Sequence, residues 1–245
     1  MGRSRFLSAV LLAFALCNSA SAQPIAPGEY VRSGDSGVLK IERQHGQTSF
    51  SLETTGANCH SCSMSGQIKG SYAQTNDESD DTTGPSCRVR LTPSHQGQWL
   101  DLPLQNGEAC LQHCGARAHI GGTYRKPPAH CSRTGQRKAR DTFIAHYRAK
   151  QYPQAVAALS PVLEQCGDFL DWIEADRIRN DLALAHFHAG APGQCLKLLQ
   201  NTRASGQADE QGLKGEIPPC DFDNYVATAR ATWHNMSLCK GSTGR

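Results

Sequence analysis

The chain has 245 residues, of which 38% are hydrophobic and 19% are charged, and its formal net charge is +3 at pH 7. A charge this small excludes the strongly basic surface that is typical of nucleic-acid-binding proteins. After position 22 no apolar stretch approaches the ~18 to 20 residues that a membrane-spanning helix needs, so we do not expect an integral membrane protein.

Residues 1–22 are predicted to be a secretory signal peptide. Two arginines precede a mostly apolar segment at 6–17, and the small residues 20–22 form a cleavage site. Removal of this segment takes away two arginines, which leaves 23 basic and 22 acidic residues and a net charge of about +1. We therefore expect a mature chain that begins at Gln23 and is periplasmic or secreted.

Residues 23–124 are predicted to form an antiparallel β-barrel or sandwich. Short runs of alternating apolar and polar residues are separated by Gly, Asn, Asp and Ser, which indicates about seven or eight strands. The clearest strands carry Leu39 and Ile41, Phe50 and Leu52, Val89 and Leu91, and Leu100, Leu102 and Leu104. A core of this size is modest and would benefit from cross-links.

Residues 125–140 are predicted to be a basic linker, because they contain six Lys or Arg residues, two adjacent prolines and no usable apolar period. Residues 141–245 then change to a helical period. A last helix is predicted from about Asp221 to Leu238, after a long loop at 202–219 that is rich in Gly and Pro. The expected fold class is therefore a two-domain α+β protein.

The helical half resembles tetratricopeptide-type helical hairpins. The matching elements are Tyr147 with Tyr152-x-x-Ala155, and then Leu182-Ala183, Gly190 and Cys195. Ala155 and Cys195 are 40 residues apart, whereas the family repeat is about 34 residues. An unrelated helical bundle is the alternative.

Ten of the eleven cysteines follow the signal segment, and this even number predicts disulfides formed in an oxidising compartment. Cys220 and Cys239 bracket a predicted helix of ~27 Å, which is too long for them to bond each other. If the helices alternate in direction, we expect Cys166–Cys220 and Cys195–Cys239.

The other six cysteines are expected to pair among themselves, which would give one closed set of disulfides per domain. Sequence alone allows fifteen pairings, and we favour distant partners over near neighbours. These six residues are Cys59, Cys62, Cys87, Cys110, Cys114 and Cys131.

Cys59-His60-Ser61-Cys62 has the spacing of a redox dithiol, but no helical pattern follows it to stabilise a thiolate. A zinc site from Cys59, Cys62, Cys110 and Cys114, with His60 or His113 nearby, has tolerable spacing. Oxidising conditions favour structural disulfides over both alternatives. We predict no metal and no cofactor.

A dense acidic segment at 76–81 is predicted to be a hairpin tip or a docking site for a basic protein. It lacks the glycine and distal glutamate of a calcium-binding loop. Its acidic residues are Asp77, Glu78, Asp80 and Asp81. The sequence contains no nucleophile elbow, zinc-protease motif or phosphate loop, so only residues scattered along the chain could make it an enzyme.

The β half resembles the small β domain of bacterial periplasmic proteins of the lysozyme-inhibitor-like kind. The matching elements are Gly28-x-Tyr30, Leu39-x-Ile41, Cys87-x-Val89-x-Leu91, Cys110, Cys114-Gly115 and Gly122-x-Tyr124. The resemblance covers about 100 residues and implies a non-enzymatic binding protein whose partner is a cell-wall-active enzyme. A periplasmic scaffold factor that uses the helices and a disulfide-handling factor are the alternatives.

Overall fold

The computed structural model describes residues 25–75, 86–104 and 107–243. The N-terminal half is an antiparallel sheet that is nearly closed into a barrel, and the C-terminal half is built of helices. The predicted α+β fold class is confirmed. The signal segment 1–22 and the acidic residues Asp77, Glu78, Asp80 and Asp81 lie outside the described residues.

The sheet of the described residues has nine strands in the order β6-β5-β4-β3-β2-β1-β9-β8-β7. Its two edge strands follow each other in the chain and are separated only by the buried Leu91, so the edges meet where the barrel nearly closes. The strands are β1 Gly28–Arg32, β2 Gly37–Gln44, β3 Gln47–Thr55, β4 Ser61–Lys69, β5 Tyr72–Thr75, β6 Arg88–Arg90, β7 Thr92–Ser94, β8 Trp99–Leu102 and β9 Gly122–Arg125.

The predicted inward faces of the clear strands are confirmed, except at the end of β8. Leu100 and Leu102 are buried, but Leu104 lies beyond the strand and is 72% exposed. The apolar alternation continues in the sequence past Leu102 although strand pairing ends there, because Leu102 is the last residue of β8 to pair with β9. The prediction for Leu104 is therefore wrong.

The two Gly-x-Tyr motifs lie on neighbouring strands and make equivalent contacts. Tyr30 on β1 and Tyr124 on β9 are completely buried. Each hydroxyl donates to a carbonyl four residues earlier, Tyr30 to Ala26 and Tyr124 to Ile120, at 2.8 Å in both cases. Burial raises the pKa of Tyr124 to about 12, against a smaller opposing effect of Arg32.

The glycines of the two motifs are also equivalent. Gly28 has φ 136° and Gly122 has φ 133°, a region that side-chain-bearing residues rarely adopt. A Cβ at Gly122 would lie 3.1 Å from the Arg32 side chain, and a Cβ at Gly28 would lie 3.1 Å from Lys126. Arg32 and Lys126 each donate to a backbone carbonyl at 2.8 Å in the segment that precedes the opposite strand. The barrel is thus joined by a duplicated Gly-x-Tyr-x-basic element.

The described residues contain seven α-helices, six of them in the C-terminal half. Their bounds are α1 Glu108–Leu111, α2 Arg133–Arg148, α3 Tyr152–Gln165, α4 Trp172–His188, α5 Pro192–Leu199, α6 Glu210–Glu216 and α7 Pro219–Thr243.

Helix α2 begins inside the segment predicted as the linker 125–140. The Ser132 side chain caps this helix by accepting from the backbone N–H of Gly135 at 3.1 Å. The first two turns consist mainly of exposed or half-exposed polar residues, and the first fully buried side chain is Phe143. The apolar period therefore starts late, although Arg, Lys, Gln and Ala have good helix propensity.

The helices form two hairpins that repeat after 40 residues, α2–α3 and α4–α5. Lys150 and Gly190 both have positive φ, 58° and 79°, at equivalent positions of the two turns. The small residues Ala155 and Cys195 are both completely buried where the second helix of each hairpin packs. The sequence repeat is thus a structural repeat, while its tetratricopeptide assignment stays a prediction.

The predicted loop at 202–219 contains a 3-10 turn at Arg203–Gly206 and helix α6. Asp209 caps α6 by accepting from the backbone N–H of Gly212 at 2.9 Å, and Leu213 anchors the helix in the core. The cap and this single buried leucine outweigh the low helix propensity of two glycines. The loop prediction was therefore wrong over 210–216.

All ten cysteines after position 22 form disulfides. The predicted Cys195–Cys239 bond is confirmed, and neither Cys59 with Cys62 nor Cys110 with Cys114 bonds its near neighbour. The five bonds are Cys59–Cys220, Cys62–Cys114, Cys87–Cys110, Cys131–Cys166 and Cys195–Cys239.

The predicted Cys166–Cys220 bond is wrong, and so is the expectation of one closed disulfide set per domain. Because helix α2 starts just after Cys131, this cysteine belongs to the helical half and bonds Cys166 at the end of α3. Cys220 then pairs with Cys59 of the barrel, 161 residues earlier. The linker prediction caused both errors.

The two halves are joined by more than a linker. Besides the Cys59–Cys220 bond, the Asn58 side chain accepts from the backbone N–H of Cys220 at 3.2 Å, in the first turn of α7. Arg125 at the end of β9 forms an ion pair with Asp168 at 3.0 Å. The barrel and the helices therefore contact each other directly.

Candidate functional site

A groove of about 620 Å³ opens between helices α2, α3 and α4, with one residue of α7 at its rim. Its floor is apolar and its walls are mostly charged. The floor consists of Leu159, Val162, Ile173 and Ile178, and the walls consist of Arg133, Gln136, Arg137, Arg140, Asp171, Glu174, Arg177 and Asn224. We call this feature the arginine groove, after Arg133, Arg137, Arg140 and Arg177.

The spacing of the arginines on α2 explains how they reach one wall. Arg133, Arg137 and Arg140 follow each other after four and three residues, which places them on one face of the helix. Arg177 projects from α4 on the opposite side. The two helices are held across the groove by the packing of both against α3.

Acidic residues balance part of this positive charge. The Nη2 atom of Arg140 lies 2.9 Å from Glu174 and 3.4 Å from Asp181, and Arg177 lies 3.5 Å from Glu174. Burial raises the pKa of the Asp181 carboxyl, and Arg140 opposes this rise. Arg137 is exposed and makes no ion pair with any described residue.

The groove retains a surplus of positive charge. The four guanidinium groups lie beside three carboxylates, because Asp181 contacts Arg140 in addition to the lining residues Asp171 and Glu174, and Asp171 is engaged as the cap of α4 through the backbone N–H groups of Ile173 and Glu174. Since Arg133 is engaged in another interaction, Arg137 carries the surplus. Guanidinium groups bind carboxylates and phosphates through paired hydrogen bonds. The apolar floor between them suits aliphatic or aromatic groups of the same ligand.

A second, smaller cavity of about 400 Å³ lies on the outer face of the barrel and brings together residue types found in hydrolases. Glu53 pairs directly with Ser63 across strands β3 and β4, and His113 lies beside them. The buried Nε2 atom of His113 has no hydrogen-bond partner among the described residues, so it contacts neither the serine nor the glutamate through a hydrogen bond. The arrangement therefore lacks the relay of a serine hydrolase.

The redox and zinc hypotheses both require thiols that the disulfides occupy. Cys59 and Cys62 belong to different disulfides, as do Cys110 and Cys114. The ten cysteines predicted as structural disulfide residues are all paired in disulfides. His130 lies near the sulfur atoms of Cys131 and Cys166, but those two sulfurs are bonded to each other.

The sequence analysis does not identify the arginine groove, because the predicted linker 125–140 covers the first half of α2. The sequence does contain one indication of the groove, since the arginines at 133, 137 and 140 follow a helical spacing. Arg177 could not be assigned to the same site, because that requires knowing how α4 packs against α3. The predicted partner-binding residues at 77–81 lie outside the described residues.

Comparison with protein-family models, curated proteins and solved structures finds no match to this chain. Among the described residues, no helix combines the length and the apolar character needed to cross a bilayer.

Proposed function

We propose that this is an exported, non-enzymatic binding protein that holds an acidic peptide segment of a partner protein in the arginine groove. The observation that carries the proposal is a groove with four arginines above an apolar floor and a net positive charge. Five disulfides fit maturation in an oxidising compartment, where an exported binding protein would work.

The ligand would be recognised by two kinds of contact. Carboxylates of an extended segment would pair with Arg137 and Arg177, and apolar side chains would contact the floor at Ile173, its most accessible residue. Arg140 is already held by Glu174, which keeps one wall ordered before the ligand arrives and lowers the entropic cost of binding.

The proposal is tested by reversing one groove charge at a time. In Arg137→Glu, affinity for a labelled peptide of alternating Glu and Leu should fall at least tenfold, since a charge-assisted hydrogen bond contributes about 1.5 to 3 kcal/mol and the new carboxylate repels the ligand. Lys138→Glu is the matched control, because it makes the same charge change at the next residue, which is exposed and outside the groove.

If Arg137→Glu and Lys138→Glu lower the affinity for the peptide equally, only the overall charge of α2 matters for binding. An unchanged affinity in Arg137→Glu would show that the groove is not the binding site. Fluorescence anisotropy at two salt concentrations measures both variants, and binding in the groove should weaken as salt rises.

Inhibition of a lysozyme-like enzyme is a second candidate function, favoured by the barrel and its duplicated Gly-x-Tyr-x-basic element. It predicts that the whole protein slows lysis of bacterial cell walls by at least one muramidase in a panel. If lysis is slowed equally by the Arg137→Glu variant, the barrel carries this activity. If no muramidase is slowed, the candidate is lost.

A further inference from the structure

The five disulfides differ in their exposure to solvent. Cys59 and Cys220 are both partly exposed, whereas every other disulfide of the described residues has at least one cysteine that is no more than 3% exposed. We propose that Cys59–Cys220 is a thiol-exchange site, which a dithiol reductant opens before the other four bonds and which thereby releases helix α7 from the barrel. Exchange requires a thiolate to approach a sulfur atom, so access decides which bond reacts first.

The backbone around Cys59 also favours opening. Asn58 and Cys59 have φ 54° and 56°, two consecutive non-glycine residues in the left-handed region. Asparagine tolerates this region, but for cysteine it is unfavourable. The turn is held in place by the disulfide and by the bond from the Cys220 N–H to the Asn58 side chain. Breaking the disulfide allows Cys59 to leave the strained conformation.

The surroundings of the two sulfur atoms determine which one leaves. Cys220 lies in the first turn of α7, where the helix N-terminus stabilises a thiolate. The Nδ2 atom of Asn224 lies 3.7 Å from the Cys59 sulfur and 3.8 Å from the Cys220 sulfur, so this contact does not distinguish the two. The Asp221 carboxylate lies 4.0 Å from the Cys59 sulfur and disfavours negative charge there. Cys220 is therefore the leaving group, and Cys59 is the sulfur attacked.

The exchange proceeds in two balanced steps. One thiolate of the dithiol forms a bond to the Cys59 sulfur, and the electron pair of the Cys59–Cys220 bond leaves on Cys220. The second thiol of the reductant then loses its proton and attacks its own mixed disulfide, so that Cys59 leaves as a thiolate. The dithiol is oxidised to a cyclic disulfide, and the two protein cysteines have gained two electrons.

Opening this bond also affects the arginine groove, a consequence that rests on the proposed function. The Asn224 side chain contacts both Cys59 and Cys220, and its backbone carbonyl accepts from Arg177 at 3.3 Å. Release of the first turn of α7 therefore moves a rim residue of the groove and removes a partner of Arg177. We expect the open form to bind the acidic peptide at least several times more weakly.

The order of reduction is measured by treating the native protein with increasing dithiothreitol, blocking free thiols with an alkylating agent and mapping the modified peptides. We expect Cys59 and Cys220 to be labelled at least ten times faster than any other pair. Earlier labelling of another pair, or simultaneous labelling of all ten cysteines, would overturn the proposal. In the variant carrying Cys59→Ser and Cys220→Ser, the early phase of thiol labelling should be absent, while the circular dichroism spectrum stays that of a folded protein.

The direction of attack is tested with glutathione, a monothiol that leaves the mixed disulfide unresolved. The adduct should be found on Cys59 with Cys220 alkylated, and the reverse distribution would contradict the assigned leaving group. Peptide affinity is measured before and after selective opening, and an unchanged affinity would disprove the effect on the groove. If the oxidised protein does not bind the peptide at all, the proposed function fails, but the labelling order still decides the exchange site.

Discussion

Asp176 is only 2% exposed and lies at the centre of a polar network between α4 and α7. Its carboxylate accepts from the Tyr225 hydroxyl at 2.6 Å and from the backbone N–H of Arg203 at 2.9 Å, and it forms an ion pair with Arg179 at 2.6 Å. Burial, and then the adjacent Asp176 carboxylate, raise the pKa of Tyr225 far above its ordinary value. The network fixes how α7 and the 3-10 turn dock on α4.

Replacement of this carboxylate should destabilise the folded protein. In Asp176→Ala, the hydroxyl of Tyr225 and the N–H of Arg203 lose their acceptor in a buried place, so the free energy of unfolding should fall by about 3 to 5 kcal/mol. Urea unfolding monitored by circular dichroism measures this. Asp176→Asn keeps one acceptor oxygen and should lose less. A loss below about 1 kcal/mol in the alanine variant would contradict this account.

Ionisation of the Tyr124 phenol should lower the stability of the barrel at alkaline pH. Its pKa is raised from 10.0 to about 12, so the folded state favours the neutral phenol. This contribution is constant below pH 10 and decreases between pH 10 and 12, by about 1.4 kcal/mol per pH unit at most. Tyr124→Phe should reduce the slope of stability against pH in that range, measured by rapid urea unfolding. An identical slope in the variant would contradict the assignment.

At the scale of elements, the duplicated Gly-x-Tyr-x-basic motif predicts a specific sensitivity to alanine. Gly122→Ala must place a Cβ at φ 133° and 3.1 Å from Arg32, so we expect a loss of about 1 to 3 kcal/mol. Gly193→Ala in α5 is the matched control, because nothing lies within 4 Å of its added Cβ and alanine favours a helix. Thermal unfolding compares them, and equal effects of the two substitutions would refute the motif's role.

Local sequence patterns predicted the elements whose burial is periodic. Alternation placed Leu39, Ile41, Phe50 and Leu52 on the inner face of the barrel, because one face of each strand is buried. The first half of α2 could not be found this way, since its residues are mainly polar and their helical state depends on the Ser132 cap. The arginine groove was missed with it, because a site formed by α2 and α4 depends on tertiary packing.

At the scale of the whole molecule, the disulfide pattern connects the halves that local patterns separate. Only the pairing of Cys195 with Cys239 was derived correctly, because the length of α7 prevents Cys239 from bonding Cys220 and alternating helices bring Cys195 to the same end as Cys239. The partners of Cys131 and Cys220 depend on how the barrel packs against the helices. No local period contains that information.

The Cys59–Cys220 bond should couple the unfolding of the two halves. It closes the longest loop of the five bonds, 161 residues, and its removal in the Cys59→Ser and Cys220→Ser variant should cost about 3 to 5 kcal/mol. Calorimetry should then resolve two transitions where the parent has one, because the covalent link between the halves is lost and an ion pair such as that between Arg125 and Asp168 contributes little stability. One unshifted transition in the variant would contradict the coupling.

The central claim, that the arginine groove binds acidic segments, is tested most directly by changing the ligand and leaving the protein intact. Calorimetric titration compares a peptide of alternating Glu and Leu with the same peptide carrying Gln for every Glu, a substitution that removes charge and preserves shape. The acidic peptide should bind at least ten times more tightly, because only its carboxylates pair with Arg137 and Arg177. Equal affinities for the two peptides, or no binding of either, would contradict the claim.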